Sequence, residues 1–135
     1  MIQTVTDFLV QSKVQYFATV GLDNKPKVRP FQFMFEEKGK LYFCTSNQKK
    51  VFQQIQNNPD VEISCCSESF SWLRLSGKVV FSKDLALKQR VLDKSPLVKS
   101  IYESADNPSF ELFYLDEAVA TIADFSGNPP KVIEL

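Results

Sequence analysis

"VRPFQFMF", residues 28–35, alternates so that Arg29 falls in line with Phe31, Phe33 and Phe35, a permanent cation on a face of three phenylalanines. It lies between the turn-forming stretches "GLDNKPK" (21–27) and "EEKGK" (36–40), and beyond these come "QYFATV" (15–20) and "LYFCTS" (41–46). Aromatic and β-branched runs separated by Gly, Asp, Asn and Pro predict a three-stranded antiparallel meander. In that arrangement Arg29 is expected opposite the carboxyl end of the third strand.

The segment after the third strand raises the same question of charge. "NQKKVFQQIQNNP" (47–59) carries Val51, Phe52 and Ile55 at helical spacing and stops before Pro59. A helix beginning near Asn47 places Lys49 and Lys50 in its first turn, where the macrodipole is already positive and each cation costs roughly 0.3–1 kcal/mol. A bound phosphate reverses the penalty, because it collects free helix N–H groups, the hydroxyls of Thr45 and Ser46, and two ammonium groups. Arg29 adds a guanidinium, which reads phosphate through a two-pronged fork. The alternative is that the lysines are simply solvated and the arginine stem covers apolar surface. A flat ring on a phosphorylated tail suits aromatic neighbours such as Pro30, Phe31 and Trp72, with backbone amides of the second strand on its polar edge.

Outside this centre, "TVTD" from Thr4 reads as a capping box for a short helix with Val5, Phe8 and Leu9 on one face. "VEISCC" (61–66) and "WLRLSGKVVF" (72–81) read as strands, the second with Leu73 and Leu75 opposing Trp72, Arg74 and Ser76. "DLALKQRVLDK" is amphipathic, and Ser95 with Pro96 opens another helix. "FELFYL" and "AVATIADF" suggest a hairpin around Asp116 and Glu117, followed by the tail "SGNPPKVIEL". The expected fold is α+β, mainly β: an antiparallel split β-barrel of six or seven strands with short flanking helices, as one domain over residues 1–135.

Bulk properties narrow the function classes. The 135 residues carry 16 basic and 16 acidic side chains, and this neutrality disfavours nucleic acid or an anionic membrane as partner. No apolar run reaches membrane-spanning length and the amino terminus lacks signal-peptide character, so a cytoplasmic location is expected. The chain has no histidine, which excludes Ser/His and Cys/His dyads and His-ligated metal or haem. Cys44, Cys65 and Cys66 fit no ligand spacing and read as small apolar strand residues; no metal site is indicated. No GxGxxG or GxxxxGK[ST] occurs where a nucleotide cradle would need it.

Residues 17–64, "FATVGLDNKPKVRPFQFMFEEKGKLYFCTSNQKKVFQQIQNNPDVEIS", resemble the front half of the flavin-mononucleotide (FMN)-binding split-barrel proteins, the pyridoxamine 5'-phosphate oxidase-like superfamily. "SWLRLSGKVVF" and "FYLDEAVATIADFSGNPPKVIEL" continue the similarity, which is closest to the small nitroimidazole-resistance-like branch. The resemblance implies FMN at a homodimer interface, with Arg29, Thr45, Ser46, Lys49 and Lys50 on phosphate or ribityl. It also implies Pro30, Phe31 and Gln32 along the ring, Asn47 as a further polar contact, and Trp72 and Arg74 near a partner's flavin, these last two otherwise being a surface stripe. Two departures stand out: the tail has no arginine of the kind that holds a vitamer phosphate, and a histidine found near the flavin in the nitroimidazole-resistance proteins is missing.

No catalytic residue is nominated, since hydride chemistry belongs to the flavin ring and the protein supplies orientation. The implied activity is an FMN-dependent oxidoreductase acting on a small molecule, with a nicotinamide donor arriving from solution. A non-catalytic flavin or electron carrier, and a barrel binding single-stranded nucleic acid, are the other readings.

Overall fold

The computed structural model describes residues 1–135. In chain order the elements are α1 (Ile2–Ser12), β1 (Gln15–Val20), β2 (Pro26–Phe31), β3 (Phe35–Glu37), β4 (Lys40–Ser46), α2 (Lys50–Asn57), β5 (Asp60–Cys66), β6 (Trp72–Ser82), α3 (Leu85–Lys94), α4 (Pro96–Tyr102), β7 (Phe110–Ala123) and β8 (Lys131–Glu134). The eight strands make one antiparallel sheet in the order β2-β1-β5-β6-β7-β4-β3, with β8 added to β7. The strands at the two ends of that order, β2 and β3, are consecutive in the chain. The sheet must therefore curl until its ends approach, and the barrel is split where residues 32–34 cross. This is the α+β split barrel expected, with β8 raising the strand number to eight.

The crossing corrects the opening expectation. "VRPFQFMF" is not one strand, because its first half pairs with β1 and its last residue with β4. Arg29 accordingly faces Phe17 of β1 rather than the end of β4. Where the ladder breaks, the buried amide of Phe33 would lose its partner, and the side chain of Gln15 supplies one: Gln15 Oε1 accepts from Phe33 N at 2.6 Å. The same amide donates through Nε2 to Leu9 O at 2.8 Å, so a fully buried glutamine ties α1, β1 and the crossing together.

Alternation sends Phe17, Phe43, Leu73, Leu75 and Phe113 into the barrel, where α1 contributes Val5 and Leu9, and α2 contributes Val51 and Ile55. Phe113 lies 5.7, 6.2, 5.9 and 6.1 Å, centroid to centroid, from Phe17, Phe31, Phe43 and Phe81. The opposite faces of β4 and β7 bury Tyr42, Phe110 and Leu112 under α3 and α4, forming a second core.

Three further expectations change. The capping box is absent: α1 begins at Ile2 with no side-chain cap, and Asp7 instead accepts from Gln3 Nε2. The hairpin at Asp116–Glu117 is a bulge within the single long strand β7, with Glu117 at φ 50° and the β6 register shifting at Gly77. A Cβ at Gly77 would lie 3.1 Å from Asp116 O, so a larger residue there would press on the bulge. Third, β2 is an edge strand. Pro26 and Pro30 have no N–H for the ladder, so these alternate residues turn their backbone away from β1, and Val28 between them turns its N–H and C=O to the free edge as well. No helix is long and apolar enough to cross a membrane.

Phe113→Ala should remove about 3–5 kcal/mol of stability, because four aromatic neighbours cannot collapse into the space it leaves. Urea unfolding followed by tryptophan fluorescence measures this loss.

Candidate functional site

Helix α2 lies across one mouth of the barrel. Its start adjoins the end of β4, Phe52 packs on Phe81 of β6 at 5.1 Å, and Gln54 in its second turn reaches β1 and β2. Arg29 is half-buried beneath it. The guanidinium donates to Phe17 O at 3.2 Å, to Thr19 Oγ1 at 2.8 Å and to Gln54 Oε1 at 2.6 Å, while Thr19 Oγ1 also donates to Gln54 Oε1 at 2.6 Å. All three acceptors are neutral. Burial pulls the Arg29 pKa below its ordinary value, the opposite of what an acidic neighbour would do. The Gln54 contact ties Arg29 to the second turn of α2.

The start of α2 is only partly satisfied. Lys49 is the cap residue and Lys50 the first helical residue; Lys49 N and Phe52 N donate to Ser46 O and Lys49 O at 3.1 Å each, and no side chain accepts from the amides of Lys50 and Val51. Both lysines are exposed, and no carboxylate lies within 4.0 Å of Lys49, Lys50 or Arg29 among the ion pairs of the molecule. The hydroxyl of Thr45, 3% exposed and on the barrel-facing side of β4, has no hydrogen-bond partner. An unpaired buried hydroxyl costs roughly 1–3 kcal/mol, and this one lies on the strand that leads into the uncapped helix.

The remaining residues singled out in the sequence separate into other places. Ser46, adjacent to Thr45 on the strand, points to the opposite face, near Tyr102 of α4, and its Oγ accepts from Gln48 N at 3.2 Å. Asn47 is fully engaged: its Nδ2 donates to Pro108 O at 2.7 Å and Glu111 Oε2 at 2.8 Å, its backbone N donates to Ser109 O, and its Oδ1 accepts from Gln48. Phe31 packs inward on Phe17 at 4.5 Å, while Pro30 and Gln32 are exposed. Pro30 shares the outer face of the sheet with Arg74, in a register row that runs Pro30, Tyr16, Ser64, Arg74, Thr121, Val132. Three strand spacings, about 14 Å, separate the backbones of Pro30 and Arg74. Arg74 pairs with Glu62 at 2.8 Å, and Trp72 packs at a 57° tilt against Phe125, which is 81% exposed.

Sequence reasoning missed Gln54, Thr19 and Glu111. The first two left a signal, being polar residues at positions where the apolar face of a helix and of a strand continues. Glu111 left none, because its importance comes from facing Thr45 across the β4–β7 ladder.

Other features offer no competing chemistry. Burial pushes the Cys44 thiol up to about 12, so it stays protonated, and no group of His, Cys, Asp and Glu gathers to hold a metal. A cleft of about 760 Å³ opens between the end of α1 and the loop at Ser67–Ser71, away from the three cations; the hydroxyls of Ser67, Ser69 and Ser71 are already paired with one another.

Comparison with known proteins bears on the family and the fold. The family model described as pyridoxamine 5'-phosphate oxidase matches residues 1–122. A NimC/NimA family protein from Clostridium acetobutylicum superposes with a TM-score of 0.90 at 35% identity, covering 98% of this chain and 91% of that one. A pyridoxamine 5'-phosphate oxidase-related, FMN-binding protein from Nostoc punctiforme has a TM-score of 0.77 at 18% identity, covering 96% and 86%. A haem-binding protein from Mycobacterium smegmatis has a TM-score of 0.76 at 14% identity, covering 94% of this chain and 55% of that one. These last two likenesses concern fold alone. No curated protein matches the sequence.

Thr45→Val keeps the shape and removes the orphan hydroxyl. It should raise the stability of the ligand-free protein by about 1 kcal/mol, read as a higher urea midpoint at unchanged slope; a drop in the midpoint would contradict the unsatisfied hydroxyl.

Proposed function

The chain belongs to the pyridoxamine 5'-phosphate oxidase family, and from that premise we propose that it is an FMN-binding oxidoreductase with the flavin phosphate at the start of α2. What supports the reading is that Lys49 and Lys50 open α2, Arg29 bonds to Gln54 of the same helix, none of the three is paired with a carboxylate, and the strand leading into the helix carries the orphan hydroxyl of Thr45. A dianion would neutralise the lysines, accept from the free helix amides and give Thr45 its missing partner. Arg29 spends three hydrogen bonds on α2 and β1, and its remaining N–H groups are available to the same anion. Ser46 serves the site through the turn it shapes with Gln48 rather than from the barrel side.

The ring of such a ligand would run along β2. The free edge of that strand offers the Val28 N–H and the carbonyls of Pro26, Val28 and Pro30 to a polar heterocycle edge, with Pro30 and Gln32 exposed beside it and Phe31 backing them. When bound, the flavin supplies hydride transfer to or from a small-molecule substrate, with a nicotinamide as electron donor. This chain's residues bind and orient; the site shows no acid–base pair for protons.

One chain leaves the ring open to solvent. Exposed Tyr16, Val28 and Val132, with Trp72 and Phe125, make an outer sheet face that a second copy would cover. A homodimer would also bring Trp72 and Arg74 of one chain toward the flavin of the other. The missing tail arginine argues against a vitamer phosphate as substrate.

The purified protein should be yellow and release FMN, sediment as a dimer when loaded, and oxidise reduced nicotinamide with a quinone or nitroaromatic. A flavin never reduced by either nicotinamide would turn the assignment to a flavin carrier. Lys50→Glu should weaken FMN by roughly 10- to 100-fold while changing riboflavin about twofold or less, since only FMN carries the phosphate. Equal losses in a fluorescence titration would remove the phosphate from the start of α2.

A further inference from the structure

We propose that Asn47 and Glu111 form a strut that positions the phosphate turn, and that the Glu111 carboxylate is a counter-charge limiting how tightly that turn holds a dianion. The inference rests on the FMN reading of the site and concerns two residues that do not touch the ligand.

The turn between β4 and α2 spans residues 47–49, and its geometry decides where Lys49, Lys50 and the free helix amides point. Within the turn the bonds are local: Lys49 N to Ser46 O at 3.1 Å, Gln48 N to Ser46 Oγ at 3.2 Å and Gln48 Nε2 to Asn47 Oδ1 at 2.7 Å. Its firm attachment is to a different segment. Asn47 reaches Pro108 O, Ser109 O and Glu111 Oε2 at 2.7, 3.0 and 2.8 Å, so three hydrogen bonds from one residue fix the turn to the entrance of β7. That entrance is itself stiffened, because Asn107 accepts from Ser109 N at 2.8 Å and donates to Tyr102 O at 2.9 Å. The chain of contacts runs from the second core, through Asn107, to the turn.

Glu111 does more than accept a hydrogen bond. It is the β7 partner of Thr45, so the two side chains share a face with Cβ atoms about 5 Å apart, and its carboxylate has no cation within 4.0 Å. An unpaired carboxylate beside an anion site opposes the anion, and a structural role alone would be served equally by a neutral amide. Retaining the charge makes the grip on phosphate weaker than the lysines alone would make it.

The test compares FMN with riboflavin in the full chain, by fluorescence titration, with thermal unfolding of the flavin-free protein alongside. Glu111→Gln keeps an oxygen acceptor for Asn47 and deletes the charge; FMN should bind roughly three- to tenfold more tightly with riboflavin unchanged. Asn47→Ala releases the turn; FMN should weaken about tenfold, riboflavin much less, at a melting temperature close to that of the parent. Parallel weakening of both ligands by Asn47→Ala, or a Glu111→Gln variant with an unaltered FMN-to-riboflavin ratio, overturns the strut and counter-charge. Lys50→Glu in the same series separates the two levels. If it discriminates between the ligands while Glu111→Gln does not, the strut inference fails and the phosphate site stands; if Lys50→Glu does not discriminate, both fall.

Discussion

The architecture depends on a buried amide at the place where the chain changes partner. Between Phe31 and Phe35 the backbone leaves β1 and joins β4, and a break in a ladder inside a core strands polar groups that cost several kcal/mol if left bare. Gln15 answers on both sides, accepting from Phe33 and donating to Leu9. With that residue in place, one segment can serve as both ends of the sheet, the phenylalanines can close over a shared interior, and α1 can seal the lower mouth.

The other mouth is arranged in the opposite spirit. Around Gln15 every donor and acceptor is matched, whereas under and before α2 three cations, a hydroxyl and a set of helix amides are held without anionic partners. The two ends of one barrel thus divide the labour: the first secures the fold, and the second keeps electrostatic need in reserve. Thr19, Gln54 and Phe17 O hold the Arg29 guanidinium in a fixed orientation through neutral acceptors, which leaves its charge uncompensated.

Much of this was legible in the sequence. Strand alternation set Leu73 and Leu75 on the face opposite Trp72 and Arg74, Pro59 stopped α2, and Lys49 and Lys50 stand at its start. What was not legible required knowing which strands meet. "VRPFQFMF" reads as continuous because nothing local distinguishes a strand that pairs throughout from one that changes partner halfway. Asp116–Glu117 looked like a turn because a bulge uses the same residue types, and the difference lies in Gly77 on the neighbouring strand. Thr45 and Ser46 looked equivalent as hydroxyls, but consecutive strand residues face opposite ways, and only one sees the barrel mouth. Asn47 read as a ligand contact for want of any sign that Pro108, Ser109 and Glu111 would consume its hydrogen bonds.

The two prolines of β2 have a bearing on how this molecule can meet others. An open sheet border is ordinarily a template on which a stranger's chain can lengthen the ladder indefinitely, the route by which β-rich proteins polymerise. With a proline at two of the three outward-turned positions, Val28 has the one amide left to offer there, too few to register an added strand. Lengthening of the sheet through that border is thereby discouraged, because an incoming strand would find a single donor to pair with.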